Sequence, residues 1–317
     1  MRILFMGTPD FAATILDRLI KEEHEIIGVV TQPDKQKGRG KEVSYSAVKE
    51  LALAHNLPIY QPLKVREPEF LEKLKEMAPE VIIVAAFGQI LPKALLEIPQ
   101  FGCINVHGSL LPKYRGAAPI QYSILEGEKE TGITIMYMDV GIDTGDMILQ
   151  EKLAIDEEET GGSLFNKMAE LGAELMVKAL ISIKDGSAVR TPQNNEEATY
   201  VKIIDKQMGR IDFTQSATKI ERMIRGLNPW PSAYTMLEGK TLKIWLAKVE
   251  PFEDNEELKD KTTEPGEIIE IRKDAFVVRA GDGLLVIKEL QLEGKKRMTA
   301  EAFLRGYQLK AGMKLGQ

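Results

Sequence analysis

The sequence is poor in the residues that form disulfides and bind metal ions: its 317 residues include one cysteine and three histidines. A lone Cys103 cannot form an internal disulfide, which is typical of proteins from a reducing compartment. None of His24, His55 and His107 has metal-ligand spacing with Cys103 or with another histidine. We therefore expect a protein without a bound metal ion.

Long apolar stretches and targeting signals are also lacking. No part of the sequence approaches the ~20 consecutive apolar residues that a membrane-spanning helix needs. A Gly-Thr-Pro turn follows the first six residues, which leaves too little room for the apolar region of a signal peptide. We expect a soluble, cytoplasmic protein with no membrane partner.

The signatures of common nucleotide-binding enzymes are absent as well. Residues 7–13 (GTPDFAA) follow the first predicted strand but do not fit the G-x-G-x-x-G pattern of dinucleotide-binding folds. The sequence has no Walker A motif either. A nicotinamide dehydrogenase, an ATPase and a zinc enzyme are therefore not expected.

The first half of the chain does contain short apolar runs that alternate with amphipathic segments. The predicted strands are residues 2–7, 25–31, 81–86, 103–107 and 132–138. The predicted helices are residues 9–21, 45–55 and 159–185, the first with Thr8 as N-cap and Pro9 at the first helical position. Strands separated by helices favour right-handed parallel crossovers, which predict a doubly wound α/β sheet.

The pattern changes beyond about residue 208. A predicted helix at 217–227 precedes several short strands with turn residues between them, at 233–237, 242–249, 266–271, 276–279 and 284–291. Short strands of this kind are typical of a small barrel or sandwich. The sequence thus predicts a catalytic domain at residues 1–188, a linker at 189–207 and a second domain at 208–317.

Charge is distributed unevenly between these parts. The whole chain has a net charge of −6, but residues 206–317 carry 20 Lys and Arg against 17 Asp and Glu, while residues 1–205 carry 22 against 31. A basic second domain could bind a polyanion while the acidic part performs chemistry. Variation between two solvated surfaces explains the difference equally well.

Polar residues at the end of one predicted strand indicate a site. Asn105 and His107 lie two residues apart, so in a strand their side chains face the same side. Burying an amide and an imidazole together costs free energy unless each has a partner. Asp143, in the glycine-bounded segment that follows strand 132–138, would lie at the same sheet edge if the strands are parallel. A satisfied core amide, a loop contact and a plain Asp-Gly turn remain the structural alternatives.

Several motifs give the chain a family resemblance. They are GTPDFA (7–12), TQPDKQKGRGK (31–41), AAFGQILP (85–92), INVHGSLLPKYRGAAPIQ (104–121), MDVGIDTGDM (138–147) and GLNPWPSAY (226–234). With these motifs the chain resembles the methionyl-tRNA formyltransferases along essentially its whole length. The Asn-x-His pair and the Asp of G-I-D-T-G are shared with other transferases that use 10-formyltetrahydrofolate.

The resemblance implies a Rossmann-like formyltransferase domain and a C-terminal domain similar to an OB-fold, which would bind tRNA. It implies transfer of the formyl group of 10-formyltetrahydrofolate to the amino group of initiator methionyl-tRNA. Nothing in the sequence demands more than one chain, so we expect a monomer. Asn105 and a protonated His107 would stabilise the oxyanion, His107 would take up the proton of the amine, and Asp143 would orient the imidazole.

The resemblance also implies two sets of binding residues. Those expected to bind the folate are Phe87, Ile90, Leu91, Ser109, Leu110, Leu111, Pro112, Asp139, Val140 and Gly141. Those expected to contact tRNA are Lys35, Lys37, Arg39, Lys41, Lys202, Arg222 and Arg225. Without tRNA, the basic loop at 35–41 is expected to be mobile.

Two alternatives stay open. A formyltransferase that acts on glycinamide ribonucleotide or on an amino sugar nucleotide, or a hydrolase of the formyl donor, would use the same Asn105, His107 and Asp143. It would leave the basic loop and the second domain without a task. A noncatalytic protein that binds tRNA or folate is the other alternative, and the intact triad argues against it.

Overall fold

The computed structural model describes residues 1–37, 42–252 and 263–316, with the backbone alone at 35–37 and 42–43. The chain forms two compact units. The first unit comprises residues 1–120, 130–154 and 164–202, and the second comprises residues 121–129, 155–163 and 203–317.

The first unit is built on a seven-stranded sheet of order β10-β9-β7-β6-β1-β2-β5. Its strands are β1 (Arg2–Gly7), β2 (Glu25–Val30), β5 (Ile59–Tyr60), β6 (Val81–Ala85), β7 (Cys103–His107), β9 (Glu130–Tyr137) and β10 (Met147–Ala154). Two short pairs accompany it: β3 (Lys35–Lys37) with β4 (Glu42–Ser44), and β8 (Arg115–Gly116) with β11 (Tyr200–Val201). The five strands from β7 to β5 are mutually parallel, which confirms the predicted doubly wound α/β domain.

One strand direction differs from the expectation. β9 runs antiparallel to β7, with Tyr137 opposite Ile104 and Thr134 opposite His107. The carboxyl end of β9 therefore lies beside the beginning of β7, and not at the edge where β7 ends. The expectation that these strands are parallel was wrong, because an apolar run indicates burial but carries no information on strand direction.

Of the helices that the structure describes, four lie at predicted positions with ends shifted by one or two residues, whereas those at 68–77, 93–96, 119–125 and 300–306 were not predicted. In chain order the described helices are α1 (Asp10–Lys21), α2 (Ala47–Ala54), α3 (Pro68–Met77), α4 (Lys93–Leu96), α5 (Pro119–Leu125), α6 (Gly161–Asp185), α7 (Ala217–Gly226) and α8 (Ala300–Gly306). None of these helices, within the part of the chain that the structure describes, is long and apolar enough to cross a membrane.

The start of α1 is a correction to the sequence prediction. Pro9 occupies the N-cap position and no side chain caps the helix. Thr8 does not cap because its hydroxyl has other partners: Oγ1 donates to the carbonyl of Phe87 at 3.4 Å and accepts from the amide of Gln32 at 3.4 Å. These contacts tie together the carboxyl ends of β1, β2 and β6.

The second unit is an antiparallel β structure of order β12-β13-β16-β15-β14, with β17 beside β16. Its strands are β12 (Ala233–Leu237), β13 (Lys240–Glu250), β14 (Ile268–Ile271), β15 (Phe276–Arg279), β16 (Leu284–Leu292) and β17 (Met298–Thr299). Alternate residues of β12, together with Leu242, Ile244 and Ala247 of β13, are buried. They pack with Ile220 and Ile224 of α7 in one core.

Residues 312–316 bond to both edges of this second sheet. The amides of Gly312 and Leu315 donate, at 2.8 Å each, to the carbonyls of Ile268, the first residue of β14, and Gly266, which precedes that strand. The amide of Gly316 donates at 2.8 Å to the carbonyl of Met236 in β12. These residues therefore bond to both edge strands of the sheet. The predicted C-terminal β domain is confirmed.

Candidate active site

The site begins at the carboxyl end of β7, where Asn105 and His107 face the same side of the strand. Their side chains are almost completely buried, with exposures of 9% and 5%. No other described residue forms a hydrogen bond with the amide of Asn105. A buried amide without a partner costs free energy, so Asn105 Nδ2 is free to bind a reacting oxygen.

The imidazole of His107 lies between a carbonyl and a carboxylate. Its Nε2 atom is 3.0 Å from the carbonyl oxygen of Tyr114. A carbonyl can only accept a hydrogen bond, so Nε2 carries the hydrogen and Nδ1 is the nitrogen available to a proton. Nδ1 is 3.6 Å from Oδ2 of Asp143, which allows a charge interaction and is longer than a hydrogen bond.

Asp143 belongs to the segment 138–146, which we call the Asp143 loop. The loop begins beside Cys103, where the amide of Met138 donates to the carbonyl of Cys103 at 2.8 Å. Cys103 and His107 are four residues apart in a strand, and each residue of a strand advances about 3.3 Å, so the loop starts about 13 Å from His107. From there the loop runs back along the sheet toward His107. The structure therefore brings Asp143 to His107 as expected, but through this return and not through parallel strands.

One backbone donor and one side-chain donor hold Asp143 in place. Its carboxylate Oδ2 accepts a 2.8 Å hydrogen bond from the amide of Gly116, and its carbonyl accepts one of 2.8 Å from Nε2 of Gln193. Asp143 has a positive φ of 53°, a conformation that favours glycine and asparagine. Asp139 closes the loop by accepting hydrogen bonds from Gly141 N at 2.9 Å and Thr144 Oγ1 at 2.6 Å.

A rigid wall follows His107 along the chain. Thr134 Oγ1 donates to the carbonyl of Ser109 at 2.6 Å and accepts from the amide of Leu111 at 3.1 Å. Gln150 Nε2 donates to the carbonyl of Leu111 at 2.8 Å, and Ser109 Oγ donates to the carbonyl of Lys113 at 2.6 Å. Residues 109–113 are therefore fixed by β9 and β10 as well as by their own turn.

The residues predicted to bind folate fall into two groups. Ser109, Phe87, Leu91 and Leu111 are buried, and Phe87 and Leu91 pack in the core beneath the sheet edge. Leu110 and Pro112 are half-buried, and Asp139 and Gly141 are exposed. Ile90 and Val140 are large apolar side chains with exposures of 80% and 71%, so they offer apolar surface to a ligand.

The residues predicted to contact tRNA are less well defined by the structure. Lys35 and Lys37 lie on β3, described by its backbone alone, and Arg39 and Lys41 lie outside the described residues. Lys202 is exposed.

Arg222 and Arg225 of α7, by contrast, have partners within the second unit. Arg222 Nη1 donates to the carbonyl of Glu126 at 3.4 Å. The side chain of Arg225 is 14% exposed, pairs with Glu221 at 2.5 Å and donates to the carbonyl of Glu159 at 2.8 Å. Arg225 thus has few donors left for a phosphate.

Two residues of the site were missed from the sequence. Arg115 is 1% exposed, and Gln193 bonds both to Arg115 and to the Asp143 loop. The sequence around Arg115 does not show that its guanidinium is buried, because the side chains that bind it follow about eighty positions later.

The residues that the structure describes offer neither a metal-binding group nor a reactive thiol at this site. The described residues contain no group of three or more His, Cys, Asp or Glu side chains that could bind a metal ion. Burial raises the pKa of the Cys103 thiol to about 12, so it is an apolar core residue and not a nucleophile.

Comparisons with known proteins agree with this architecture. The formyl transferase family profile matches residues 1–180, and the profile of the formyl transferase C-terminal domain matches residues 203–308. The methionyl-tRNA formyltransferase of Agathobacter rectalis is 52% identical over 312 residues, covering 98% of each chain. That of Clostridioides difficile is 51% identical over 317 residues, covering 100% of each chain.

Solved structures share the fold at low sequence identity. An N-formyltransferase from Helicobacter canadensis, in complex with folinic acid and dTDP-3-aminofucose, is 19% identical, with a TM-score of 0.67 over 94% of this chain and 100% of that one. HypX from Aquifex aeolicus, in complex with tetrahydrofolic acid, is 19% identical, with a TM-score of 0.63 over 96% of this chain and 47% of that one. On the family profiles and the full-length relatives, the chain belongs to the formyl transferase family, in the group of the methionyl-tRNA formyltransferases.

Proposed function

We propose that this chain transfers the formyl group of 10-formyltetrahydrofolate to the amino group of initiator methionyl-tRNA. The observation that carries the chemistry is the cluster of the buried Asn105 and His107 with the half-buried Asp143, in which an amide donor is free and an imidazole lies beside a carboxylate. Relatives of about 50% identity over the full length support methionyl-tRNA as the acceptor.

The reaction needs a stabilised oxyanion and a path for one proton. The amine nitrogen bonds to the formyl carbon, the bond from that carbon to N10 of the folate breaks, and the proton lost by the amine ends on N10. Asn105 Nδ2 donates a hydrogen bond to the formyl oxygen, which becomes negative in the tetrahedral intermediate. His107 Nδ1 takes up the proton from the amine and then passes it to N10, and the nearby Asp143 carboxylate stabilises the imidazolium formed between the two transfers.

The binding surfaces follow the same proposal. The exposed Ile90 and Val140 would cover the apolar parts of the folate, and backbone groups of residues 109–112 would pair with its pterin. Phosphates of the tRNA would be neutralised by the basic residues Lys35, Lys37, Arg39, Lys41 and Lys202. An enzyme with an aminoacyl-tRNA substrate would act in the cytoplasm, here as a monomer.

The acceptor separates this proposal from its closest rival, in which an amino sugar nucleotide receives the formyl group. The test is transfer of labelled formyl from 10-formyltetrahydrofolate, with methionyl-tRNA, free methionine, glycinamide ribonucleotide and dTDP-3-aminofucose offered together. Label on methionyl-tRNA alone is the expected result. Label on one of the small acceptors, or label released only as formate, would preserve the chemistry of the cluster and contradict the proposed acceptor.

A further inference from the structure

Arg115 is a buried cation whose partners among the described residues are all neutral. Its side chain is 1% exposed, and no described carboxylate pairs with it. Its guanidinium instead donates to three neutral groups: Gln193 Oε1 at 3.0 and 2.7 Å, Asn195 Oδ1 at 2.8 Å and Tyr200 OH at 3.0 Å. A buried charge is costly, so an arrangement that satisfies it only with neutral acceptors calls for a role.

Gln193 connects this cation to the Asp143 loop. Because Oε1 of Gln193 accepts both bonds from Arg115, the orientation of its amide is determined, and Nε2 points the other way. Nε2 donates to the carbonyl of Asp143 at 2.8 Å and to the carbonyl of Gly145 at 2.8 Å. All four hydrogen-bonding positions of the amide are thus used.

The bonds from Gln193 act on a residue in an uncommon conformation. Asp143 has a φ of 53°, in the left-handed region, and both its carbonyl and its carboxylate accept hydrogen bonds. Gln193 binds its carbonyl, while the amide of Gly116, next to Arg115 in sequence, binds its carboxylate at 2.8 Å. Arg115 is therefore linked to Asp143 through both its own side chain and its neighbouring peptide.

We propose that Gln193, oriented by Arg115, is a positioning residue for formyl transfer, which keeps the carboxylate of Asp143 facing Nδ1 of His107. This inference rests on the proposed function. Neither Gln193 nor Arg115 needs to touch either substrate.

The variant Gln193→Glu tests the inference. A glutamate keeps the acceptor for Arg115 but replaces the donor Nε2 with an oxygen that repels the two loop carbonyls. We expect kcat to fall by about 10- to 100-fold with both KM values nearly unchanged, since displacing a reacting group by about 1 Å costs up to about 100-fold. Asn195→Ala is the matched control, because it removes an acceptor of Arg115 without touching the Asp143 loop.

A double variant distinguishes positioning from general support of the fold. If Gln193 acts through Asp143, Gln193→Glu should cause no further loss of kcat in the Asp143→Asn background. Losses that multiply in the double variant, or an equal loss in Asn195→Ala, would overturn the proposal. Gln193→Met removes the donor without adding a charge and should reproduce the loss of kcat. This variant keeps the proposal testable if the glutamate variant does not fold.

Crystal structures of the wild type and these variants give a readout that needs no acceptor. The 3.6 Å separation between His107 Nδ1 and Asp143 Oδ2 should increase in Gln193→Glu and stay unchanged in Asn195→Ala. An unchanged separation in Gln193→Glu refutes the positioning role. Absence of formyl transfer to methionyl-tRNA by the wild type would instead refute the proposed function alone.

Discussion

Gly116 provides a direct test of how the fold supports the site. Its φ is 113°, a conformation that side-chain-bearing residues rarely adopt, and a Cβ atom would lie 2.3 Å from the carbonyl oxygen of Val201. The obstacle is backbone of β11, which pairs with β8 at this point, so it cannot rotate away. Gly116→Ala must therefore displace the amide that donates to Asp143 Oδ2 at 2.8 Å.

Two costs can be separated for this substitution. The unfavourable φ costs about 1–2 kcal/mol of folding stability, as for other L-residues in left-handed regions. Losing a hydrogen bond to a charged acceptor costs about 1.5–3 kcal/mol. If that bond holds Asp143 for catalysis, the second cost appears in the transition state, and kcat falls by about 10- to 150-fold.

Gly186→Ala is the control. Gly186 also has a positive φ, of 77°, but a Cβ atom there has nothing within 4 Å, so its alanine variant has the conformational cost alone. The measurements are thermal melting and kcat for formyl transfer of both variants. A Gly116→Ala protein that is folded and keeps the kcat of Gly186→Ala would refute the role assigned to this amide.

Three further predictions concern stability and exposure. Because burial raises the pKa of Cys103 to about 12, native protein should resist iodoacetamide at about pH 8 while unfolded protein reacts; rapid labelling of native protein would contradict the burial. Hydrogen bonds from Arg272 lower the pKa of Glu250, so this carboxylate stabilises the fold above its unfolded pKa and ceases to do so as the pH falls. Glu250→Gln should therefore lower the melting temperature at about pH 7 but not near about pH 3, and an equal deficit at both would exclude this cause. Ser216→Ala removes the cap that accepts from Lys219 N at 3.1 Å and should cost about 1 kcal/mol in urea unfolding, whereas an unchanged midpoint would show that the cap is dispensable.

The sequence predicted the part of the site that depends on local periodicity. The strand Cys103–His107 was predicted with both its ends, and all of its residues are buried. The period of two then places Asn105 and His107 on one side. Both are buried at the carboxyl end of β7, as expected.

Features that depend on distant partners could not be read in this way. The direction of β9 and the return of the Asp143 loop follow from the packing of the whole sheet. The burial of Arg115 depends on Gln193 and Asn195, in a segment predicted as an irregular linker.

The short β17 and helix α8 were missed for a different reason. Thr299 caps α8 by accepting from Ala302 N at 3.3 Å, and a threonine before an alanine-rich segment is a signal that the sequence contained. The hydrogen bonds that residues 312–316 form with the two edge strands could not be predicted from side chains, because they involve backbone atoms alone.

The central claim is that His107, supported by Asp143, carries out the proton transfer in formylation of methionyl-tRNA. The most direct test is the single-turnover rate of labelled formyl transfer to methionyl-tRNA in His107→Ala, with tRNA affinity measured in parallel. We expect the rate to fall by at least about 100-fold, the usual contribution of a general base, with tRNA affinity nearly unchanged. A wild-type rate would contradict the claim, and equal losses of rate and affinity would show that His107 supports the fold and not the reaction.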